Sequence, residues 1–168
     1  VHNSIAKVFF NGDTIPYGNE TFDFILSEHV VEHLTNPVKV FLEWIRVLKK
    51  GGVIICFLPH PDRTNDRFRP RTTMEHLIED FSSDPAYNDD AHFLEWYQNV
   101  VERGLMPEHY RHQEREELLD SASIHHHVFD PPLLGKLFDF LELETLLIDP
   151  KVSDRRDSFV LVGLKSAG

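Results

Sequence analysis

Phe22-Asp-Phe-Ile-Leu-Ser-Glu-His-Val-Val-Glu-His-Leu-Thr-Asn-Pro-Val-Lys-Val-Phe-Leu-Glu-Trp-Ile-Arg-Val-Leu-Lys-Lys-Gly-Gly-Val-Ile-Ile-Cys-Phe-Leu-Pro59 reads as strand, helix, strand. Phe22–Leu26 is a brief apolar run of the kind buried on both faces of a parallel sheet. Asn36 can cap a helix, Pro37 suits its first position, and Val38, Phe41, Leu42, Ile45 and Leu48 recur at helical spacing. Lys49 and Lys50 complement the negative end of the helix dipole, and Gly51 supplies a left-handed stop, so a helix is expected over Asn36–Lys50. Val53–Leu58, bounded by Gly52 and Pro59, is expected as a central parallel strand. The three elements make a right-handed βαβ unit and set the fold class as α/β.

Upstream, Val8–Phe10 is a short β-favouring run ended by the turn sequence Asn11-Gly12-Asp13. Downstream of Pro59 the pattern changes to a stretch rich in His, Arg, Asp and aromatics, far longer than the 2–6-residue loops normal in α/β units, so residues 60–128 are a helical insertion. Thr72-Thr73-Met74-Glu75 is a capping box opening one helix, and Phe93, Trp96, Tyr97, Val100 and Val101 mark a second, stopped at Gly104. A third begins at Pro107. Trp96 and Tyr97 share helical spacing with Phe93 and read as packing residues. Asp130-Pro131 opens a closing helix striped by Leu133, Leu134, Leu137, Phe138 and Leu141, and Leu143–Ile148 and Phe159–Leu164 form an antiparallel pair. The expected architecture is one domain over 1–168, with about five strands.

Composition narrows the functional classes. The 168 residues are 41% hydrophobic and 27% charged, values of an ordinary globular domain with one core. Seventeen Lys and Arg against 28 Asp and Glu leave a net charge of −11, which repels phosphate backbones and anionic lipid, so neither nucleic acid nor membrane is an expected partner. The single Cys56 lies in an apolar run and reads as a buried thiol in a reducing compartment. Without an apolar run of about 18 residues or a signal-peptide pattern, a cytoplasmic location is expected.

Asp13-Thr-Ile-Pro-Tyr-Gly-Asn-Glu-Thr-Phe-Asp-Phe-Ile-Leu-Ser-Glu-His-Val-Val-Glu-His-Leu, followed by Asn36-Pro37 and Arg46-Val-Leu-Lys-Lys-Gly-Gly, resembles the class I S-adenosylmethionine-dependent methyltransferases of the type 11-like branch. The resemblance extends over Val8–Leu58, and Asp130–Leu164 fits the end of the same family. It implies a Rossmann-like sheet that binds S-adenosylmethionine outside the carboxyl ends of its strands. It places Asp13 at the adenine edge with Thr14 beside it, and Ser27, Glu28 and His29 in the cleft near the reactive methyl. The family's glycine-rich first loop and the acid that holds the ribose are missing, a deficit of two βα units or roughly 60 residues. The chain also starts at Val1 rather than Met. The expectation is therefore an incomplete, N-terminally truncated sheet that binds the cofactor weakly or not at all, with an open apolar edge that favours a homodimer.

Other groupings suggest chemistry. His29 and His60 are candidate general bases. Arg69 and Arg71, in the cluster with Arg63 and Arg67, suit an anionic or sugar-linked acceptor, with His125 and His127 as further substrate-binding candidates. His29-Val-Val-Glu32-His33 matches the H-x-x-E-H motif, which would make a metal-dependent hydrolase a rival reading, although Thr35-Asn36-Pro37 ends any helix there. In an extended His125-His126-His127, only His125 and His127 share a face and with His60 or Asp62 could hold a divalent ion. The tract is read instead as solvated or hydrogen-bonded, and no resident metal is assigned. The leading expectation is the C-terminal portion of a methyltransferase acting on a small acceptor; the alternative of another class is a non-catalytic oligomerisation or interaction remnant.

Overall fold

Strands β1 (Phe22–Glu28) and β2 (Leu48–Pro59) lie side by side and run the same way, with Phe24 opposite Val53 and Leu26 opposite Ile55. This is the expected parallel pair, seen in a computed structural model that describes residues 12–120, 124–152 and 155–167. The Val8–Phe10 strand falls outside the described residues. Helix α1 (Pro37–Val47) connects the pair. After the insertion, α5 (Pro131–Phe140), β3 (Leu143–Asp149) and β4 (Ser158–Lys165) complete a sheet ordered β1-β2-β4-β3, with β4 antiparallel to both neighbours.

Alternation along β2 decides where the core sits. Ile54, Cys56 and Leu58 are fully buried and join Phe41, Trp44, Leu134, Phe138 and Leu161 in one apolar cluster beneath α1 and α5. The opposite face carries Phe24 and Leu26, 60% and 56% exposed. β1 is thus covered on one face only among the described residues, and its outer edge has no strand partner there, which corrects the expectation of burial on both faces. Its alternate residues explain the change: the partly buried Ile25 packs against the core and Ser27 is buried, while both helices lie on that one side.

The helix signal is right at its start and three residues too long at its end. Asn36 Oδ1 accepts the amide of Lys39 at 3.1 Å, and Pro37 follows at the first helical position. Leu48 leaves helical geometry (φ −79°, ψ 133°) because its side chain is fully buried as the first residue of β2. Lys49 and Lys50 therefore lie in the strand, where Lys49 pairs with Asp23, and Gly51 (φ 74°) sits in the irregular stretch between the Phe22 and Phe24 pairings. The cation at the end of α1 is Lys165 from β4, whose Nζ donates to the carbonyls of Ile45 (2.9 Å) and Leu48 (2.7 Å).

The insertion builds its own small core from Phe93, Trp96, Val100, Val101, Leu118 and Ile124. Its elements are α2 (Met74–Ser83), α3 (Asp90–Trp96), which continues through a π-type turn to Val101, and α4 (Arg115–Asp120). Thr73, not Thr72, caps α2 by accepting the amide of His76; Thr72 Oγ1 instead accepts the amide of Val128 and ties the insertion to its own exit. The third helix is displaced: Glu108–His112 is a single 3-10 turn and α4 starts later. Among the described residues no helix is long and apolar enough to cross a membrane.

Candidate active site

The carboxyl ends of β1 and β2 bring Ser27, Glu28 and His29 to the same end of the sheet as His60. His29 has a left-handed backbone (φ 49°), a conformation L residues rarely adopt. Its amide still bonds to the carbonyl of Phe57 at 2.9 Å, extending the strand pairing, and this holds the turn. Its Nε2 lies 2.8 Å from Ser158 Oγ, and that hydroxyl donates to Asp157 Oδ1 at 3.1 Å. With its one proton committed to Asp157, Ser158 accepts from His29, which leaves Nδ1 of the imidazole as the free lone pair. Burial lowers the His29 pKa, against the opposing pull of Asp157, so the ring is neutral at pH 7.

That lone pair faces Glu32, whose Oε1 lies 3.7 Å from His29 Nδ1 and 3.8 Å from His33 Nε2. Glu32 is 1% exposed and neither carboxyl oxygen has a hydrogen-bond partner. Burial raises its pKa to about 7, outweighing the smaller pull of its own amide toward the ionised form. Val31–His33 is one 3-10 turn, and Leu34 is already extended so that Asn36 can cap α1. His29 and His33 therefore do not stack on an α-helix as the H-x-x-E-H reading requires. The groups that gather are Glu32, His33 and His125, their ligand atoms within 4.8 Å of one another.

The remaining expected residues fall in separate places. Ser27 is buried opposite Cys56 with its Oγ unpartnered, and Glu28 is paired with Arg155 at the surface. His60 uses Nδ1 to accept the amide of Asp62, and its ring meets Phe159 edge-on. Asp13 lines a cavity of about 420 Å³ with His33, Asn36 and Lys39, and Lys39 Nζ stands 3.8 Å from its carboxylate; Thr14 beside it is exposed. Arg69, its side chain 1% exposed, is held by Asp66 (2.9 Å) and Glu95 (2.5 Å), so it cannot receive an outside anion without breaking both pairs. Arg71 pairs with Asp62 at the wall of a second cavity of about 350 Å³. His125 and His127 part company rather than acting together with His60 or Asp62. His125 Nδ1 meets Asp66 at 2.6 Å, whereas His127 turns inward to Asp80.

Glu32 and Ser158 complete the His29 environment without having been expected there. Glu32 lies inside the H-x-x-E-H match, which fails as a helical motif because the turn ends at His33. Ser158 comes from 129 residues away, at the start of a strand, and nothing local marks it.

Residues 3–56 match the family model of the methyltransferase domain. Over 51 residues, 30% of this chain and 25% of the relative, the chain is 43% identical to an uncharacterized protein of Methanocaldococcus jannaschii. Over 128 residues, 73% of this chain and 36% of the relative, it is 26% identical to 2-methyl-6-phytyl-1,4-hydroquinone methyltransferase 1, chloroplastic, of Oryza sativa subsp. japonica. A SAM dependent methyltransferase from Aquifex aeolicus superposes with a TM-score of 0.53 at 13% identity, covering 97% of this chain and 56% of that one. A chain of the Haloferax volcanii complex between the Trm112 methyltransferase activator and a methyltransferase gives 0.51 at 14% identity, covering 94% and 60%.

The sheet is thus Rossmann-like, as in methyltransferases of known structure, and the opening third of the chain matches the methyltransferase-domain model. By both, the chain resembles the class I S-adenosylmethionine-dependent methyltransferases, as its residues implied. It spans a quarter to about a third of the length of the curated relatives it matches.

Proposed function

We propose that this chain forms the acceptor-side portion of an S-adenosylmethionine-dependent methyltransferase centre, with a small acceptor at the carboxyl ends of β1 and β2 and His29 receiving its proton. The observation that carries the reading is His29 itself, a strained backbone and an oriented, neutral imidazole beside the buried Glu32. Strain of this kind persists where surrounding contacts over-determine it, and it concentrates at functional sites.

When bound, the cofactor supplies a methyl group on a positively charged sulfur. In-line transfer is largely a matter of positioning and exclusion of water, so this chain's task is to orient the acceptor and accept its proton at His29 Nδ1. The protonated imidazole then shares its charge with the Glu32 carboxyl 3.7 Å away. On the cofactor side, Asp13 offers a carboxylate to the exocyclic amine of adenine within a polar cavity. The eight glycines include no G-x-G pair, so the fit extends to the adenine and not to the ribose and amino-acid side. An anionic acceptor would draw on Arg71 rather than on Arg69, which is bound within the insertion.

Calorimetric titration with S-adenosylhomocysteine tests this. Binding with a Kd on the order of 1 mM that disappears in Asp13→Ala supports the reading. Equal heats from the two proteins, or none up to roughly 10 mM ligand, contradict it and favour a non-catalytic module.

A further inference from the structure

Away from the β1–β2 end, α2, α3 and the segment 124–129 bring four metal-ligating side chains to one point. His76 Nε2, Asp80 Oδ2, His92 Nε2 and His127 Nε2 all lie within 4.8 Å of one another. Asp80 Oδ2 is 2.8 Å from His127, 3.2 Å from His76 and 3.5 Å from His92, and the His76 and His92 nitrogens are 3.0 Å apart. A tetrahedron of zinc–nitrogen and zinc–oxygen bonds has edges of about 3.3 Å, and the four separations bracket that length. His76 and Asp80 reach the point from one face of α2 at i and i+4, while Asp80, His92 and His127 are buried.

The proton inventory of the cluster points the same way. His127 has a fully buried side chain, and its Nδ1 lies 2.8 Å from the carbonyl of Leu34, which can only accept. Nδ1 therefore carries the hydrogen, and in the neutral ring the lone pair of Nε2 is aimed at an oxygen of Asp80 that is also an acceptor. His92 repeats the pattern, with Nδ1 3.1 Å from Asp89 Oδ2 and Nε2 turned to His76 and Asp80. A cation at the centre satisfies all of these facing lone pairs together. The outer contacts from Leu34 and Asp89 are those that orient metal-bound histidines.

We propose that His76, Asp80, His92 and His127 form a tetrahedral site for a divalent transition-metal ion of the zinc type. Three imidazoles and one carboxylate suit zinc, and four protein ligands leave no open position, so the ion is structural. It cross-links α2, α3 and the segment that returns the chain to α5. The site shares no ligand with the proposed methyl-transfer residues, although the His127 amide donates to the carbonyl of Glu32 at 3.1 Å, and its failure would leave that reading standing.

The test is metal analysis of the full chain, prepared without a polyhistidine tag, exposed to zinc and dialysed against metal-free buffer. About one zinc per chain is expected, with the visible absorption of a tetrahedral site when cobalt replaces zinc. The half-exposed His76 makes His76→Ala a variant expected to fold, and its zinc affinity should fall at least about tenfold. Asp89→Asn, which keeps an oxygen to cap α3 but loses the carboxylate behind His92, should lose about 10–100-fold. His112→Ala, at an exposed histidine outside the cluster, should bind as the parent does. Zinc retained at far below one per chain in the parent, or equal zinc affinity in the parent and His76→Ala, overturns the proposal.

Discussion

Glu32 holds its carboxyl 3.7 Å from Nδ1 of His29, buried and without a hydrogen-bond partner on either oxygen. A carboxyl raised by burial from 4.5 to about 7 binds its proton more tightly folded than unfolded. Its effect is absent below about pH 4.5, grows between those values, and becomes a constant destabilisation of about 3 kcal/mol above pH 7. Glu32→Gln copies the neutral form. Urea unfolding should therefore find the variant more stable by up to about 3 kcal/mol at pH 8 and nearly unchanged at pH 4.5. An equal difference at both pH values would contradict the assignment.

Arg69 lies between Asp66 and Glu95 with its side chain almost fully buried. Removing one partner of such a group leaves buried charge uncompensated, so Arg69→Ala should destabilise the protein by about 3–5 kcal/mol. A surface arginine kept for an anionic ligand would change stability by less than about 1 kcal/mol, and denaturant melts separate the two outcomes.

Gly163 on β4 is where the sheet meets the ring of Phe138 on α5. A Cβ there would stand 2.4 Å from Phe138 Cε2, and that ring is itself fully buried against Phe41. Gly163→Ala should cost about 1–3 kcal/mol, and Gly163→Ala combined with Phe138→Leu should recover part of it in the same unfolding measurement.

Lys165 closes the carboxyl end of α1 from the far end of the chain. Lys165→Met retains most of the stem but leaves the Ile45 and Leu48 carbonyls without their donor. A loss of about 1–3 kcal/mol is expected, with faster amide exchange in the last turn of α1 as the local readout.

The parallel pair was legible because its signals are local: an asparagine cap, a proline after it, an apolar stripe, and an apolar run bounded by glycine and proline. The end of α1 was not, since two lysines and a glycine look like a helix stop, whereas Leu48 turns into the strand to bury its side chain and the closing cation is 117 residues distant. The arginine cluster misled for a related reason. Composition shows four positive charges after a strand but not that Glu95 on another helix neutralises one of them. His127 is legible as a candidate site residue, but of its partners only His76 and Asp80 are related by a helical i, i+4 spacing, and no spacing joins that pair to His92 on α3 or to His127.

The most direct test of the central claim is a backbone amide spectrum of the chain titrated with S-adenosylhomocysteine. Shifts that saturate together at Asp13 and across Ser27–Leu34, with the amides of α3 and α4 unmoved, are the predicted result. No shift at those residues, or shifts confined to the insertion, would contradict a cofactor-facing cleft at the carboxyl ends of β1 and β2.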